Sequence, residues 1–300
     1  MQQARIPGSF RCEGRAWVED AAVTAKAVPT SEVAEESRCG APDGGTMEDA
    51  RGYFEFLSRL GLTKHIGSME ATRQLLELTR IQPGQLVLDV GCGAGATPVF
   101  LARDLRCEVV AVDLLPGMIK QARQRAAATG VGKSVALAAA DARRLPFPDG
   151  TFDAVMMESL NVFFEEKVKA IREYARVTKR GGYVGMTEMT WLAEPSPEKK
   201  AYYRQTVYAD SLQADEWLSL LKEAGLKDVE GHAEAVDMAQ EARGRIQRYG
   251  CSGIAHVLLN VLRTILKDRS SRAFLGSVTR SMPRDMMEDT GYGVYAGRVI

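Results

Sequence analysis

The chain has 300 residues, 26% of them charged and 45% apolar, with 39 Lys and Arg balancing 39 Asp and Glu. That length buries one sizeable core, or at most two small ones, and the neutral balance gives no reason to expect a nucleic acid partner, whose phosphates favour a strongly basic chain, so any electrostatic targeting must be local. Five irregularly spaced cysteines (Cys12, Cys39, Cys92, Cys107, Cys251) include no C-x-x-C pair, which excludes a zinc knuckle or redox dithiol.

Residues 1–46 are rich in Ala, Glu, Ser, Gly and Pro without helical or strand period, the composition of a disordered tail. They lack the apolar stretch of a secretory signal, and no apolar run in the chain approaches the ~20 residues that span a bilayer. Reduced thiols and a cytoplasmic location are therefore expected. Apolar residues then recur at helical spacing in 48–60 (Tyr53, Phe54, Leu57, Leu60) and in 68–79 (Met69, Thr72, Leu75, Leu76), so two helices precede the first strand and are expected to form an N-terminal helical lid. After Pro83-Gly84 the pattern becomes alternation: strand 86–90, helix 96–104, strand 108–112, helix 116–129, and strands at 135–139 and 154–157. A helix at 165–177, a strand at 183–189, a helix at 214–224 ended by Gly225 and a strand at 229–235 follow. This is the grammar of a mostly parallel sheet covered on both faces. Residues 239–287 break the alternation with helical stretches, and strand character resumes at 291–300. A helical insertion before the last strand is expected, within one domain spanning 47–300.

The chemistry centres on Val87-Leu88-Asp89-Val90-Gly91-Cys92-Gly93-Ala94-Gly95-Ala96, a buried strand running into a glycine-rich turn and a helix. Glycines let the backbone turn tightly and approach a nucleotide-like ligand, and the helix offers unpaired N–H groups. The turn also satisfies G-x-G-x-x-A at Gly91, Gly93 and Ala96, with Asp113 about twenty residues on, so an NAD(P)-dependent oxidoreductase is a rival reading. Two further acids bear on the choice. Asp89 precedes the first glycine, where it can face a cationic amino group, and Asp141-Ala142 follows the third strand, where an acceptor can take an adenine amino proton. Asp113 itself can accept two ribose hydroxyls.

With Asp89-Val-Gly-Cys-Gly-Ala-Gly, Asp113, Asp141-Ala142, Leu145-Pro-Phe-Pro-Asp-Gly-Thr-Phe-Asp153 and Arg176-Val-Thr-Lys-Arg-Gly-Gly182 in this order, residues 53–230 resemble class I S-adenosylmethionine (SAM) dependent methyltransferases. The small-molecule branch that includes quinone-biosynthesis enzymes is the most similar. The resemblance implies a Rossmann-like seven-stranded sheet with its last strand antiparallel, SAM as cofactor, and a small organic acceptor. It assigns Gly91, Cys92, Gly93 and Gly95 to the methionine part of SAM, Asp113 to the ribose, Leu114 and Met118 to the adenosine, and Asp141 with Ala142 to adenine. The sixth and seventh strands depart from the family's usual hairpin because 239–287 separates them.

Methyl transfer from a sulfonium mainly requires alignment and desolvation, with a base where the acceptor must lose a proton. Glu158, just after the fourth strand, is the first candidate for contacting substrate or donor, and His65 is the second, as base or cover. Tyr53, Glu188 and Trp191 are weaker pocket candidates. His232 and His256 form no metal-spaced cluster, so no catalytic metal is expected. Cys92 should face backbone, and a metalloid acceptor would need convergent cysteines that the sequence lacks. A non-catalytic SAM-binding scaffold is a further rival reading.

Between Arg243 and Arg284 stand eight arginines and one lysine against one acid, Asp268, around the apolar run Val257-Leu258-Leu259-Asn260-Val261-Leu262. A solvated structural helix, a lid or homodimer surface, and a peripheral contact with anionic lipid are the competing readings. Because patterned sequence begins at Met47, deletion of residues 1–46 is expected to leave the thermal midpoint and activity unchanged; a large loss of either would show that the tail belongs to the folded protein.

Overall fold

The computed structural model of the protein describes residues 66–267, 272, 276 and 282–300. The expected tail, the helix at 48–60 and the candidates Tyr53 and His65 lie outside the described residues.

In chain order, helix α1 (Ser68–Thr79) leads to β1 (Leu86–Val90), α2 (Ala96–Asp104), β2 (Glu108–Asp113), α3 (Pro116–Ala128) and β3 (Val135–Ala139). Then come β4 (Phe152–Glu158), a 3-10 turn (Asn161–Phe163), α4 (Lys167–Val177), β5 (Thr178–Trp191), α5 (Pro197–Thr206) and β6 (Leu212–Gln213). Helix α6 (Ala214–Glu223), β7 (Lys227–Ala235), the 30-residue α7 (Met238–Lys267) and β8 (Thr290–Arg298) complete the described chain. The sheet order is β3-β2-β1-β4-β5-β8-β7, with β6 pairing the end of β5. Strands β1 to β5 pair in parallel, and β8 is antiparallel to both of its neighbours. The expected last antiparallel strand is present, and the two-residue β6 adds an eighth strand.

Burial explains why β1 reads as a nearly unbroken apolar run: both faces of the sheet are covered. Successive residues point to opposite faces, so Leu88 and Val90 join Val155, Met157, Ile171, Tyr174 and Trp217 under α4 and α6. Val87 joins Val109, Ala111, Met156, Leu75 and Leu101 under α1 and α2. Gly185 of β5 belongs to this second face, where a Cβ would overlap Thr79 Cγ2 and approach Leu75 Cδ1 to 2.7 Å. Lacking one, the strand lets α1 lie directly across it.

Helix α5 was not expected from the apolar period, because its sequence PEKKAYYRQT is mostly polar. Its start is nevertheless written in Ser196-Pro197: Ser196 caps the helix by accepting the Lys199 N–H at 3.3 Å, and Pro197 fits the first turn. The last strand stays beside β5 because the insertion returns the chain to it. Helix α7 is rooted on α1, where Glu241 Oε1 accepts the Gly67 N–H at 2.7 Å and Gly244 lies against Ser68.

Filling the α1–β5 contact should destabilise the domain. Gly185→Ala is expected to cost about 1–3 kcal/mol in urea unfolding, whereas Gly132→Ala, whose nearest neighbours are 3.9 Å away, should change stability by less than about 0.5 kcal/mol. Equal effects would mean that α1 does not sit on Gly185.

Candidate active site

Strand β1 delivers the glycine turn to the carboxyl edge of the sheet, flanked by β2 and β4. The carbonyl of Val112 on β2 accepts both the Gly91 and the Cys92 N–H, at 2.8 and 2.9 Å. This double bond forces the chain to reverse sharply, and Gly91 does so at φ 75°. Gly95, at φ 78°, opens α2, and a Cβ there would stand 2.7 Å from the Cβ of Ala122. Only glycine permits both that backbone conformation and the close approach of α2 to α3.

Asp113 ends β2 beside the turn. Its Oδ2 accepts the Gly93 N–H and its Oδ1 the Leu115 N–H, each at 2.9 Å. These bonds fix the carboxylate and leave each oxygen a further lone pair, as two vicinal hydroxyls require. Burial pushes its carboxyl up, and the two N–H groups oppose that shift. Next to it Leu114 is 59% exposed, an apolar side chain on the rim, while Met118 one turn later is buried. Asp89 is buried within β1 behind the turn. Cys92 is buried too, and burial, Asp113 and Asp89 all push its thiol up, so it stays neutral and is no nucleophile.

Asp141 lies after β3, but Arg143 grips it. The Arg143 backbone N–H and Nε reach Oδ1 at 2.9 and 3.0 Å, and Nη2 reaches Oδ2 at 2.7 Å. Burial raises the Asp141 carboxyl, but the Arg143 bonds outweigh it and hold the group below the usual range. An adenine amino group at Asp141 would share this carboxylate with Arg143. Ala142 is buried next to it.

Glu158, at the end of β4, is held from two sides. Its Oε1 accepts the Thr72 hydroxyl of α1 at 2.6 Å, and its Oε2 makes a very short bond with the Thr97 hydroxyl in the first turn of α2. It therefore ties β4 to two helices. The next residue, Ser159, is buried and takes a left-handed backbone at φ 54°, and its Oγ accepts the Ile66 N–H at 3.4 Å. Strain of this kind in a non-glycine residue gathers at ligand sites, and no sequence period announces it.

Glu188 points to the other face of the sheet and is fully buried. Its Oε1 accepts the Leu160 N–H, the Asn161 N–H and the Asn161 Nδ2 at 3.2, 2.7 and 2.9 Å, capping the 3-10 turn. Tyr174 OH donates to Asn161 Oδ1 at 3.2 Å and closes the network. Trp191 is not brought to the turn: its Nε1 donates to the Ser211 carbonyl at 3.1 Å and its ring meets Tyr203 edge on. His232 stands on β7 at the sheet's far edge, 3.4 Å from Glu234. Among the described residues no group of three or more His, Cys, Asp or Glu could hold a metal.

The site thus combines a backbone cradle with acids: Asp89 behind the turn and Asp113 at its side, with Glu158 on an adjoining strand. Negative charge here suits a cation. It fits SAM, which carries a sulfonium and an ammonium, better than a dinucleotide, which brings the negative charge of a pyrophosphate.

The comparisons with known proteins agree. Residues 87–182 match a family model described as a methyltransferase domain. The chain is 30% identical over 54% of its length to phosphoethanolamine N-methyltransferase 3 of Arabidopsis thaliana, spanning about a third (33%) of that protein. A SAM-dependent methyltransferase from Geobacter sulfurreducens, in complex with S-adenosyl-L-homocysteine, aligns at a TM-score of 0.62 and 22% identity, over 82% of this chain and 96% of that one. The [4+2]-cyclase SpnF aligns at 0.66 and 22%, over 87% and 98%.

Fold and site together define a Rossmann-like α/β domain with a glycine cradle at the carboxyl edge of its sheet. Residues 87–182 are similar to a methyltransferase domain, and the fold is the one seen in the methyltransferase structures the chain aligns with. Nothing in the comparisons supports the oxidoreductase reading of the same turn.

Burial raises the Glu188 carboxyl to about 7 against the pull of its N–H donors. An acid whose folded pKa exceeds its unfolded value of about 4.3 binds its proton more tightly when folded. Its contribution to stability is therefore greatest in acid and is lost as pH rises from about 4.5 to about 7. Across that window the urea midpoint of the native protein should fall relative to that of Glu188→Gln; parallel profiles would mean that Glu188 titrates as an ordinary carboxylate.

Proposed function

We propose that the protein transfers the methyl group of SAM to a small organic acceptor by in-line displacement. The observation that carries this reading is the glycine cradle closed by Asp113, with both carboxylate oxygens held in place and still able to accept. Bound SAM supplies a methyl group already activated by the sulfonium charge. The turn from Gly91 to Gly95 would hold its methionine part, Asp113 the ribose hydroxyls, Leu114 and Met118 the adenosine, and Asp141 with Ala142 the adenine. Acids around the cradle favour the cationic donor.

Glu158 is held between α1 and the start of α2 by the Thr72 and Thr97 hydroxyls, one on each oxygen, and remains the first candidate for contacting the acceptor or the donor. His65 is the second candidate, as base or cover, supported by its chain neighbour Ile66, whose N–H reaches Ser159 at the sheet edge. Among the described residues no helix is long and apolar enough to cross a membrane, and buried, unbridged Cys92 and Cys107 suit a reducing compartment such as the cytoplasm. The fold shared with a protein described as a [4+2]-cyclase supports a second reading, cofactor binding without methyl transfer, which turnover of labelled SAM with small-molecule extracts would separate from the first.

Calorimetric titration with S-adenosylhomocysteine tests the cofactor site directly. The native protein should bind it and leave NAD unbound, and Asp113→Ala should weaken binding by about ten- to a hundredfold, the worth of charged hydrogen bonds to two hydroxyls. Binding of NAD instead, or of neither ligand, would overturn the assignment.

A further inference from the structure

Helix α7 extends well beyond the place where it is anchored. Its first turns are held by Glu241 on Gly67 and by Gly244 on Ser68. The same face then continues outward. Glu241, Gly244, Ala255, Leu258, Leu262 and Leu266 fall within about 100° of one another on a helix of 3.6 residues per turn. The outer four are exposed: Leu258 by 63%, Leu262 by 53%, Leu266 by 68%, with Ala255 beside them. Leu259, 42% exposed, widens the ridge. Four exposed leucines on one described helix form a contiguous apolar strip of the kind that marks a docking surface.

We propose that this strip is covered by residues 48–60 of the same chain, docked antiparallel along α7. Three observations point to that occupant. The first is the root: the chain arrives at Ile66–Gly67 on the very face of α7 that becomes the apolar strip, so the preceding segment starts its course there. The second is pattern: Tyr53, Phe54, Leu57 and Leu60 recur at helical spacing and offer a matching apolar face. Reach agrees, since residues 61–66 can extend about 20 Å and a helix over 48–60 adds about 20 Å, against about 33 Å from Gly244 to Leu266.

The third is charge. Residues 243–284 hold nine basic residues and one acid, whereas residues 19–49 hold eight acids and two basic residues. In the antiparallel arrangement the acidic stretch lies toward the distal end of α7, near exposed Arg263 and near Arg272, which donates to the Leu266 carbonyl at 3.2 Å. The parallel arrangement would carry it away from them. Tethering through five residues also gives the segment a local concentration in the millimolar range, which an anionic membrane or a second copy must outcompete. The acids orient the segment, while the apolar strip holds it.

Hydrogen exchange of the full chain, read by mass spectrometry, tests the docking. In the native protein, peptides covering 48–60 and 255–266 should both be protected, independently of protein concentration. Leu262→Asp on one side, or Leu57→Asp on the other, should accelerate exchange in both segments by at least about tenfold while β1 and β4 keep their protection. The proposal is overturned if 48–60 exchanges without protection in the native protein, or if Leu262→Asp leaves its protection unchanged. It is equally overturned if 255–266 becomes protected only on adding vesicles containing phosphatidylserine, or only as dimer forms at higher concentration.

Discussion

Carboxylates set at the carboxyl edge of the sheet, each satisfied by donors from another part of the chain, organise this molecule. Burying a carboxylate is costly unless hydrogen bonds replace the lost water, so each such acid fixes its donors in place. Asp113 fixes the glycine turn through Gly93 and the start of α3 through Leu115. Glu158 joins β4 to α1 and α2 through two threonine hydroxyls. Glu188 shapes the 3-10 turn after β4 by gathering its first N–H groups. The acids that give the edge its negative potential are thus also the bolts of its loops.

This double use has a functional consequence. A cradle made of backbone and closed by fixed carboxylates is built before any ligand arrives, and preorganised polar groups cost nothing to reorganise when charge must be bound. The arrangement discriminates by charge sign: it welcomes a sulfonium and an ammonium and disfavours a pyrophosphate. Glycine spacing alone makes no such distinction, which is why the turn by itself admitted two cofactor classes. The acceptor is a separate matter, because fold and cofactor do not determine the reaction, and the elements that vary around such a core are the cover and the insertion.

Topology explains how a 30-residue helix can interrupt the end of the domain without disturbing the site. Strand β8 must return to lie between β5 and β7, and its pairing with both strands buries Tyr292, Val294 and Tyr295. Chain inserted before it can grow outward provided its two ends come back to the same edge, and loop closure penalises such length only slowly. Anchoring on α1 then couples the insertion to the helix that Glu158 holds through Thr72.

The sequence by itself determined the order of strands and helices, the glycine turn and the acid after each of the first strands, because these follow from local rules: apolar period, glycine at positive φ, and polar residues where strands end. The position of Glu158 at the end of β4 is visible in one dimension, whereas its bonds to Thr72 and Thr97 are not, because those partners lie 86 and 61 residues away. The sequence pattern passed over α5, whose polar face carries no period, although Ser196-Pro197 marked its start. Only the tertiary structure decided that Arg143 grips Asp141, that Ser159 is strained, that Glu188 and Glu158 face opposite sides of the sheet, and that Trp191 belongs to another corner. Each of these depends on which side of a sheet a residue faces and on donors distant in the chain, and neither quantity is a local property of sequence.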